Sequence, residues 1–300
     1  SFMFGNTDAF NQPIGSWDTC KVQDMSLMFG GAVSFNQPIG QWDTSSVTNM
    51  SYMFYDAWAF NSPIGAWDTS NVRDMRGMFA SAITFDQPIV AWDVSSVTNM
   101  RYMFSNASAF KRPIEQWHVY NVRDFSGMFQ DASAFNQNIE HWMFVSVTVD
   151  AMFQRAVSFN QPLDAWKTSE VTSMSFMFSG AVAFDKPLSS WNTGQVLDMS
   201  FMFQSARTFN QPIGTWDTSR VTDMRYMFSY ASAFNQSLGA WNTSSVTDMQ
   251  GMFNGAAAFN QRIGSWNTSS VNNMSFMLAG AAAFNLPIGN WHVISVRDMG

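Results

Sequence analysis

Apolar and polar positions recur along this chain with a fixed period. Tryptophan sets the register at Trp17, Trp42, Trp67, Trp92, Trp117, Trp142, Trp166, Trp191, Trp216, Trp241, Trp266 and Trp291, a step of 25 residues throughout except for one of 24. Valine follows five residues after each, from Val22 and Val47 through to Val296. Phenylalanine opens each copy, from Phe10 and Phe35 to Phe284, and a Met-Phe pair such as Met28-Phe29, Met53-Phe54 or Met78-Phe79 recurs until Met277-Leu278. A fixed period means one supersecondary unit stacked on itself, so the repeat decides the architecture before local propensity is weighed. The phases of Trp42, Val47, Met50, Met53, Phe54 and Phe60 are the expected core ladder.

Within one copy, Pro38 lacks a backbone donor, so an extended segment begins at or after it. Ile39 to Trp42 is the expected main parallel strand, with Val47-Thr48 a second short extended piece, because β-branched residues suit a pleated surface. Met50, Met53, Phe54 and Ala57 then follow at helical spacing and predict a helical turn. A rival reading runs one helix from Ser46 to Ala57, with Asp43 or Thr44 as N-cap and Val47, Met50, Phe54 and Ala57 as its buried stripe. Either way the pattern predicts a repeat solenoid of about twelve 25-residue turns, each a short parallel β-strand plus a helical turn. Residues 1–300 are read as one continuous array. Ordering one copy costs more backbone entropy than its own apolar side chains return, so copies must stack to fold.

Composition narrows the function. Hydrophobic residues make up 46% and Phe, Trp and Tyr 16%, while charged residues are only 12%, which leaves a surface of Ser, Thr, Asn, Gln and Gly. A net charge of -7 without a cluster of Lys and Arg argues against nucleic-acid binding. Cys20 is the single cysteine and takes the phase of Ser45, so no intrachain disulfide exists. No apolar run approaches the roughly 20 residues that a membrane span needs. The chain opens mid-repeat at Ser1-Phe2-Met3-Phe4 and closes at Val296-Arg297-Asp298-Met299-Gly300 without a cap at either end, and is read as a segment of a longer array.

Candidate chemistry is sparse. Asparagine after the opening phenylalanine (Asn11, Asn36, Asn61, Asn136, Asn160, Asn210, Asn235, Asn260, Asn285) is expected to form a ladder at a turn, with Asp86, Lys111 and Asp185 as replacements. Two acidic phases, that of Asp18, Asp43, Asp68, Asp93 and Asp217 and that of Asp24, Asp74, Asp124, Asp198, Asp223, Asp248 and Asp298, suit helix or turn capping better than calcium, because the calcium-binding nonapeptide is missing. In the phase of Gly40, Glu115, Glu140 and Asp164 stand on successive copies and form a candidate cation or partner column near His118 and His141, beside a one-residue deletion around Val149-Asp150-Ala151. No nucleophile, base and metal set converges, so neither an enzyme nor a cofactor is expected.

The repeated stretch Phe35-Asn36-Gln37-Pro38-Ile39-Gly40-Gln41-Trp42-Asp43-Thr44-Ser45-Ser46-Val47-Thr48-Asn49-Met50-Ser51-Tyr52-Met53-Phe54 resembles the short repeats of BspA-like leucine-rich-repeat surface proteins of bacteria and protists. The resemblance implies a leucine-rich-repeat-like, right-handed solenoid on a cell surface, with adhesion as its role and no catalytic residues to carry over. Here Phe, Trp and Met stand where leucine is typical in that family, and Ala57 stands where a cysteine often sits. The expected function is therefore a non-enzymatic extracellular or cell-surface structural protein that assembles into filaments or extended surface structures, because uncapped coil edges pair head to tail. The alternative is a monomeric adhesin for host, matrix or glycan partners through exposed Trp58, Tyr55, Tyr120 and Tyr230, read as interruptions of the small-residue link between copies. A lesser alternative is ice binding by an exposed threonine column, Thr44, Thr69, Thr168, Thr193, Thr218, Thr243 and Thr268.

Overall fold

A computed structural model describes residues 2–300, which divide into two compact units with the boundary between Val147 and Thr148. Each unit is a stack of coils held in parallel register. In the first, Asp24, Asn49, Asp74, Asn99 and Asp124 bridge in succession; in the second, Ser173, Asp198, Asp223, Asp248, Asn273 and Asp298 do the same. Among the described residues there is no helix, and strand pairing is reduced to isolated bridges such as these.

The backbone of one coil shows why. The N–H groups of Met50, Tyr52, Phe54 and Asp56 donate to the carbonyls of Asp74, Arg76, Met78 and Ala80 in the next coil at 2.9, 2.7, 2.9 and 2.9 Å. Those of Met53, Tyr55 and Ala57, which alternate with them, close local turns onto Met50, Tyr52 and Phe54 at 3.2, 3.1 and 3.1 Å. Every N–H from Met50 to Ala57 except that of Met50's neighbour Ser51 is thus spent in one of two ways, and Ser51 donates to the Asn49 side chain at 3.0 Å. A helix would keep all these bonds within its own segment; here half of them build the ladder between coils.

This corrects the helical turn expected over Met50 to Ala57, and the rival helix from Ser46 as well. Tyr52 and Asp56, at φ 56° and 52°, occupy the third position of the turns Met50–Met53 and Phe54–Ala57, the left-handed place that a type II turn requires. Paired turns bring Met50, Met53, Phe54 and Ala57 to one side, so they reproduce helical spacing without a helix. The strand expected at Ile39 to Trp42 is likewise a turn, closed by the Trp42 N–H on the Ile39 carbonyl at 3.1 Å. The Val47 N–H closes a turn on the Thr44 carbonyl at 2.9 Å and the Thr48 N–H donates to the Gln23 carbonyl of the preceding coil at 2.8 Å, so in place of the second extended piece only Asn49 bridges.

The core is built of aromatic columns. Phe54 stacks on Phe60 in its own coil at 3.7 Å and on Phe79 of the next coil at 5.7 Å. Trp67 and Trp92 lie parallel at 6.4 Å, and each indole satisfies its N–H on a carbonyl 28 residues back, Trp67 on Ile39 and Trp92 on Ile64, both at 3.1 Å. The second unit repeats this, with Phe178 on Phe203 at 5.6 Å and Trp191 on Trp216 at 6.3 Å.

Polar columns seal the turns. The Asn61 N–H donates to the Asn36 side-chain oxygen at 2.8 Å, and the Asp86 N–H to that of Asn61 at 2.9 Å. An acceptor is what the place supplies, so Asp185 can replace asparagine and accept from the Asn210 N–H at 2.9 Å, whereas the Lys111 side chain has no acceptor to offer and that residue joins the column through its N–H on Asp86 at 3.1 Å. Both acidic phases form Asx turns, as where Asp43 accepts from the Ser45 N–H at 2.9 Å and Asp74 from the Arg76 N–H at 2.9 Å.

The threonine column is not a surface. Thr44, Thr69, Thr168, Thr193, Thr218, Thr243 and Thr268 are all buried, and the Thr44 and Thr218 hydroxyls donate to the Asp68 and Asn242 carbonyls of the next coil at 2.8 and 2.9 Å. Ice has no access to these hydroxyls, and the ice-binding expectation falls with them. In the short copy, Val147 is buried in the valine phase and Thr148 takes the bridging phase of Asn49, so the missing residue is that of the Thr48 phase, just before Val149-Asp150-Ala151. The boundary between the two units falls at that point.

Candidate functional site

The left-handed third position of the first paired turn forms a column that faces outward between inward-facing neighbours. In the first unit it holds Leu27, Tyr52, Gly77, Tyr102 and Gly127, at φ 55°, 56°, 58°, 56° and 60°. A side chain there costs about 1–2 kcal/mol against glycine's ease. The tyrosines recover it through contact. The Tyr52 ring lies over Gly77, where an added Cβ would meet the ring at 2.2 Å, and Tyr102 covers Gly127 with the same 2.2 Å approach. Ring and glycine therefore alternate from coil to coil because a ring leaning along the stack needs an empty place on the next coil.

Around these rings the coil turns build a groove of about 500 Å³ lined by Leu27, Tyr52, Tyr55, Ala80, Ser81, Tyr102 and Ser105. Tyr55 meets Tyr52 edge-on, at 5.8 Å and 85°. Two arginines flank the rings, Arg76 at 5.3 Å from the centre of Tyr52 and Arg101 at 4.8 Å from that of Tyr102. The Arg101 guanidinium donates to the Tyr102 hydroxyl at 3.2 Å and faces the Asp124 carboxylate at 3.7 Å. The bond to Tyr102 pushes the Arg101 pKa up, and the Asp56 carboxylate, hydrogen-bonded to Tyr55, pushes that phenol up as well. The Arg76 Nε is buried without a hydrogen-bond partner. Aromatic rings, hydroxyls and cations at an open surface suit recognition rather than bond-breaking.

Of the exposed aromatics singled out from the sequence, Tyr55 is 40% exposed and forms a wall of this groove. Trp58 is 51% exposed and Tyr120 57%, but Tyr120 occupies the phase of Ser45, in a different turn from the link between copies. Tyr230, 56% exposed, belongs to the second unit, where its ring covers Gly255. Tyr52, Tyr102, Arg76 and Arg101 were not singled out. Their signal was present as the run Leu27, Tyr52, Gly77, Tyr102, Gly127, hidden because a helical reading of Met50 to Ala57 gives that phase no special direction.

Glu115 and Glu140 lie in the first unit and Asp164 in the second, where Asp164 accepts from the Ser190 N–H at 3.1 Å. Among the described residues no group of three or more His, Cys, Asp or Glu side chains stands close enough to hold a metal ion. Among them also, no helix is long and apolar enough to cross a membrane.

A family model described as "Mycoplasma protein of unknown function, DUF285" matches residues 1–73, 60–150, 146–239 and 208–300, which together run the length of the chain. The chain belongs to this family. Each DUF285 match takes in several 25-residue copies, so the family unit is a block of coils. No curated protein matches the chain. Among solved structures it is similar to one titled "Crystal structure of TLR13-ssRNA13 complex", at 9% identity and a TM-score of 0.30, over 85% of this chain and 48% of that one. That likeness is too slight to carry any reading of this DUF285 chain, whose fold rests on its own coils.

Proposed function

We propose that this chain is a non-enzymatic interaction scaffold of the cell surface or extracellular space, which binds partner proteins through the tyrosine groove of its first unit. The observation that carries the reading is the groove itself, where Tyr52, Tyr55 and Tyr102 present aromatic surface beside Arg76 and Arg101 on a rigid stack. Aromatic and arginine anchors of this kind dominate binding surfaces. The hydroxyls and carboxylates of the repeated phases are already engaged with the backbone, as with Thr44 on Asp68 and Asp43 on Ser45, which supports a scaffold over a catalyst. Placement at the cell surface follows the resemblance to BspA-like repeats and is part of the proposal.

Binding of the purified chain to intact cells and immobilised matrix proteins tests the scaffold reading. Saturable binding that falls at least tenfold in the double variant Tyr52→Ala, Tyr102→Ala is the expected result. No saturable binding of the native chain to any of these surfaces would overturn it.

Self-assembly into long fibres is a second reading, favoured by the ladder in which alternate N–H groups from Met50 to Asp56 all donate to the neighbouring coil. Any coil edge repeats the donors and acceptors of every other, so edges of two chains are complementary. Electron microscopy over a concentration series separates the readings: uniform fibres support assembly, and separate particles of one chain's mass refute it.

A further inference from the structure

The second unit carries the same outward column with the gap filled. There Phe176, Phe201 and Tyr226 stand on successive coils, Phe176 stacking on Phe201 at 4.3 Å and 5°, and Phe201 on Tyr226 at 5.1 Å and 20°. Arg225 lies 5.9 Å from the centre of the Phe201 ring and pairs with Asp223 at 3.1 Å. In the first unit the corresponding three places are Tyr52, Gly77 and Tyr102, so the middle place has no ring of its own and the Tyr52 ring lies over it. The two places share a left-handed backbone, Phe201 and Gly77 each sitting at φ 58°. Two coil steps of about 4.8 Å separate Tyr52 from Tyr102. That span matches the two ring-to-ring steps of 4.3 and 5.1 Å in the second unit.

We infer that the groove of the first unit takes an aromatic side chain from a partner protein, seated between Tyr52 and Tyr102 in the place that Phe201 holds between Phe176 and Tyr226. This deepens the scaffold reading and rests on it. Tyr52 swings off Gly77 into the posture that Phe176 keeps against Phe201, and the guest ring completes the stack. The partner segment carries a carboxylate next to its aromatic residue. Arg76 and Arg101 supply the complementary charge, Arg101 sharing it with Asp124 at 3.7 Å, while the buried Arg76 Nε has no partner. Asp56, hydrogen-bonded to Tyr55, and Asp74, whose carboxylate accepts from the Arg76 N–H at 2.9 Å, are the other acids beside the groove and set where the guest carboxylate cannot lie.

The probe is an acetylated, amidated tripeptide of phenylalanine between two glutamates, titrated into the full chain and followed by NMR of the tyrosine rings. Saturable binding at one site is expected. Replacing the central phenylalanine by alanine, or both glutamates by lysine, weakens it at least tenfold. Gly77→Phe fills the gap from within and abolishes binding, with Phe201 as the precedent that the fold accepts a phenyl ring at this φ. Arg76→Gln weakens the acidic peptide about fivefold and leaves a neutral phenylalanine peptide unchanged. Phe201→Gly, which opens the same gap in the second unit, raises the stoichiometry from one to two. Undiminished binding to a folded Gly77→Phe variant, an unchanged stoichiometry in folded Phe201→Gly, or displacement of the peptide by an acidic oligosaccharide would each overturn the site. Peptide binding without any partner on cells or matrix keeps the site and overturns the scaffold reading. Cell or matrix binding that survives Gly77→Phe, without peptide binding, does the reverse.

Discussion

Replacing Thr218 by valine removes one hydroxyl from the core with almost no change of shape. The side chain is 1% exposed and its Oγ1 donates to the Asn242 carbonyl of the next coil at 2.9 Å. Valine leaves that part-buried carbonyl without its donor, and an acceptor orphaned in this way costs about 1–3 kcal/mol. The chain contains its own evidence that the fold survives the change. Val94 and Val119 hold the same phase, each 1% exposed, and their carbonyls still accept the turn bonds from Val97 and Val122 at 3.0 Å. The cost is therefore energetic and falls on one interface between neighbouring coils. Urea unfolding followed by tryptophan fluorescence should show Thr218→Val less stable by about 1–3 kcal/mol with an unchanged denaturant slope. Val94→Thr, the reverse exchange, should gain about 0.5–1.5 kcal/mol. A Thr218→Val variant that keeps the native midpoint and slope would refute the argument, because the buried hydroxyl would then contribute nothing.

Three further outcomes follow from turn chemistry. The Asp217 carboxyl is held below its ordinary value of 3.8 by the Ser219 hydroxyl and N–H, so its contribution is complete above that value and lost as pH falls through the lower folded one. Asn242 already makes the same turn onto the Ser244 N–H at 3.1 Å, so Asp217→Asn should match the native chain at pH 7 and show a shallower acid limb in pH-dependent unfolding. The Cys20 thiol is pushed up by its hydrogen bond to Asp18; Asp18→Asn should lower it and speed alkylation by iodoacetamide at about pH 8, and an unchanged rate would dismiss the bond. Ser205 sits at φ 57° in a phase where Gly180 and Gly255 also stand, so Ser205→Gly should relieve left-handed strain and stabilise the chain by about 0.5–1 kcal/mol in thermal melting; a destabilised variant would refute that.

The period, the identity of the buried phases and the stacking of copies were legible from Trp42, Val47, Met50, Met53, Phe54 and Phe60 alone, because burial leaves no choice but large apolar residues at fixed intervals. All six are buried. The asparagine column was legible too, since a polar side chain repeated beside a buried phenylalanine has to satisfy neighbouring backbone. Local conformation was not. Met50, Met53, Phe54 and Ala57 have the spacing of one helical face, and paired turns with Tyr52 and Asp56 in the left-handed region give the same spacing. Periodicity records which side chains point inward, not where the backbone N–H groups go, and that allocation distinguishes a helix from a turn ladder.

The groove shows the same division. Sequence supplied its chemistry, in the tyrosines and alternating glycines of one phase and the arginines of the phase just before it. Whether a repeated residue faces inward or outward was settled by packing: the threonine hydroxyls point into the stack, where neighbouring carbonyls lack other donors, and Tyr52 points out because its turn reverses the chain there. The copy-to-copy contrast between Gly77 and Phe201 acquires meaning only in three dimensions, since residues 25 apart become neighbours about 4.8 Å apart. Repetition in sequence determined that coils stack; the competition between turn and ladder hydrogen bonds for each N–H determined the shape of a coil and the face it presents.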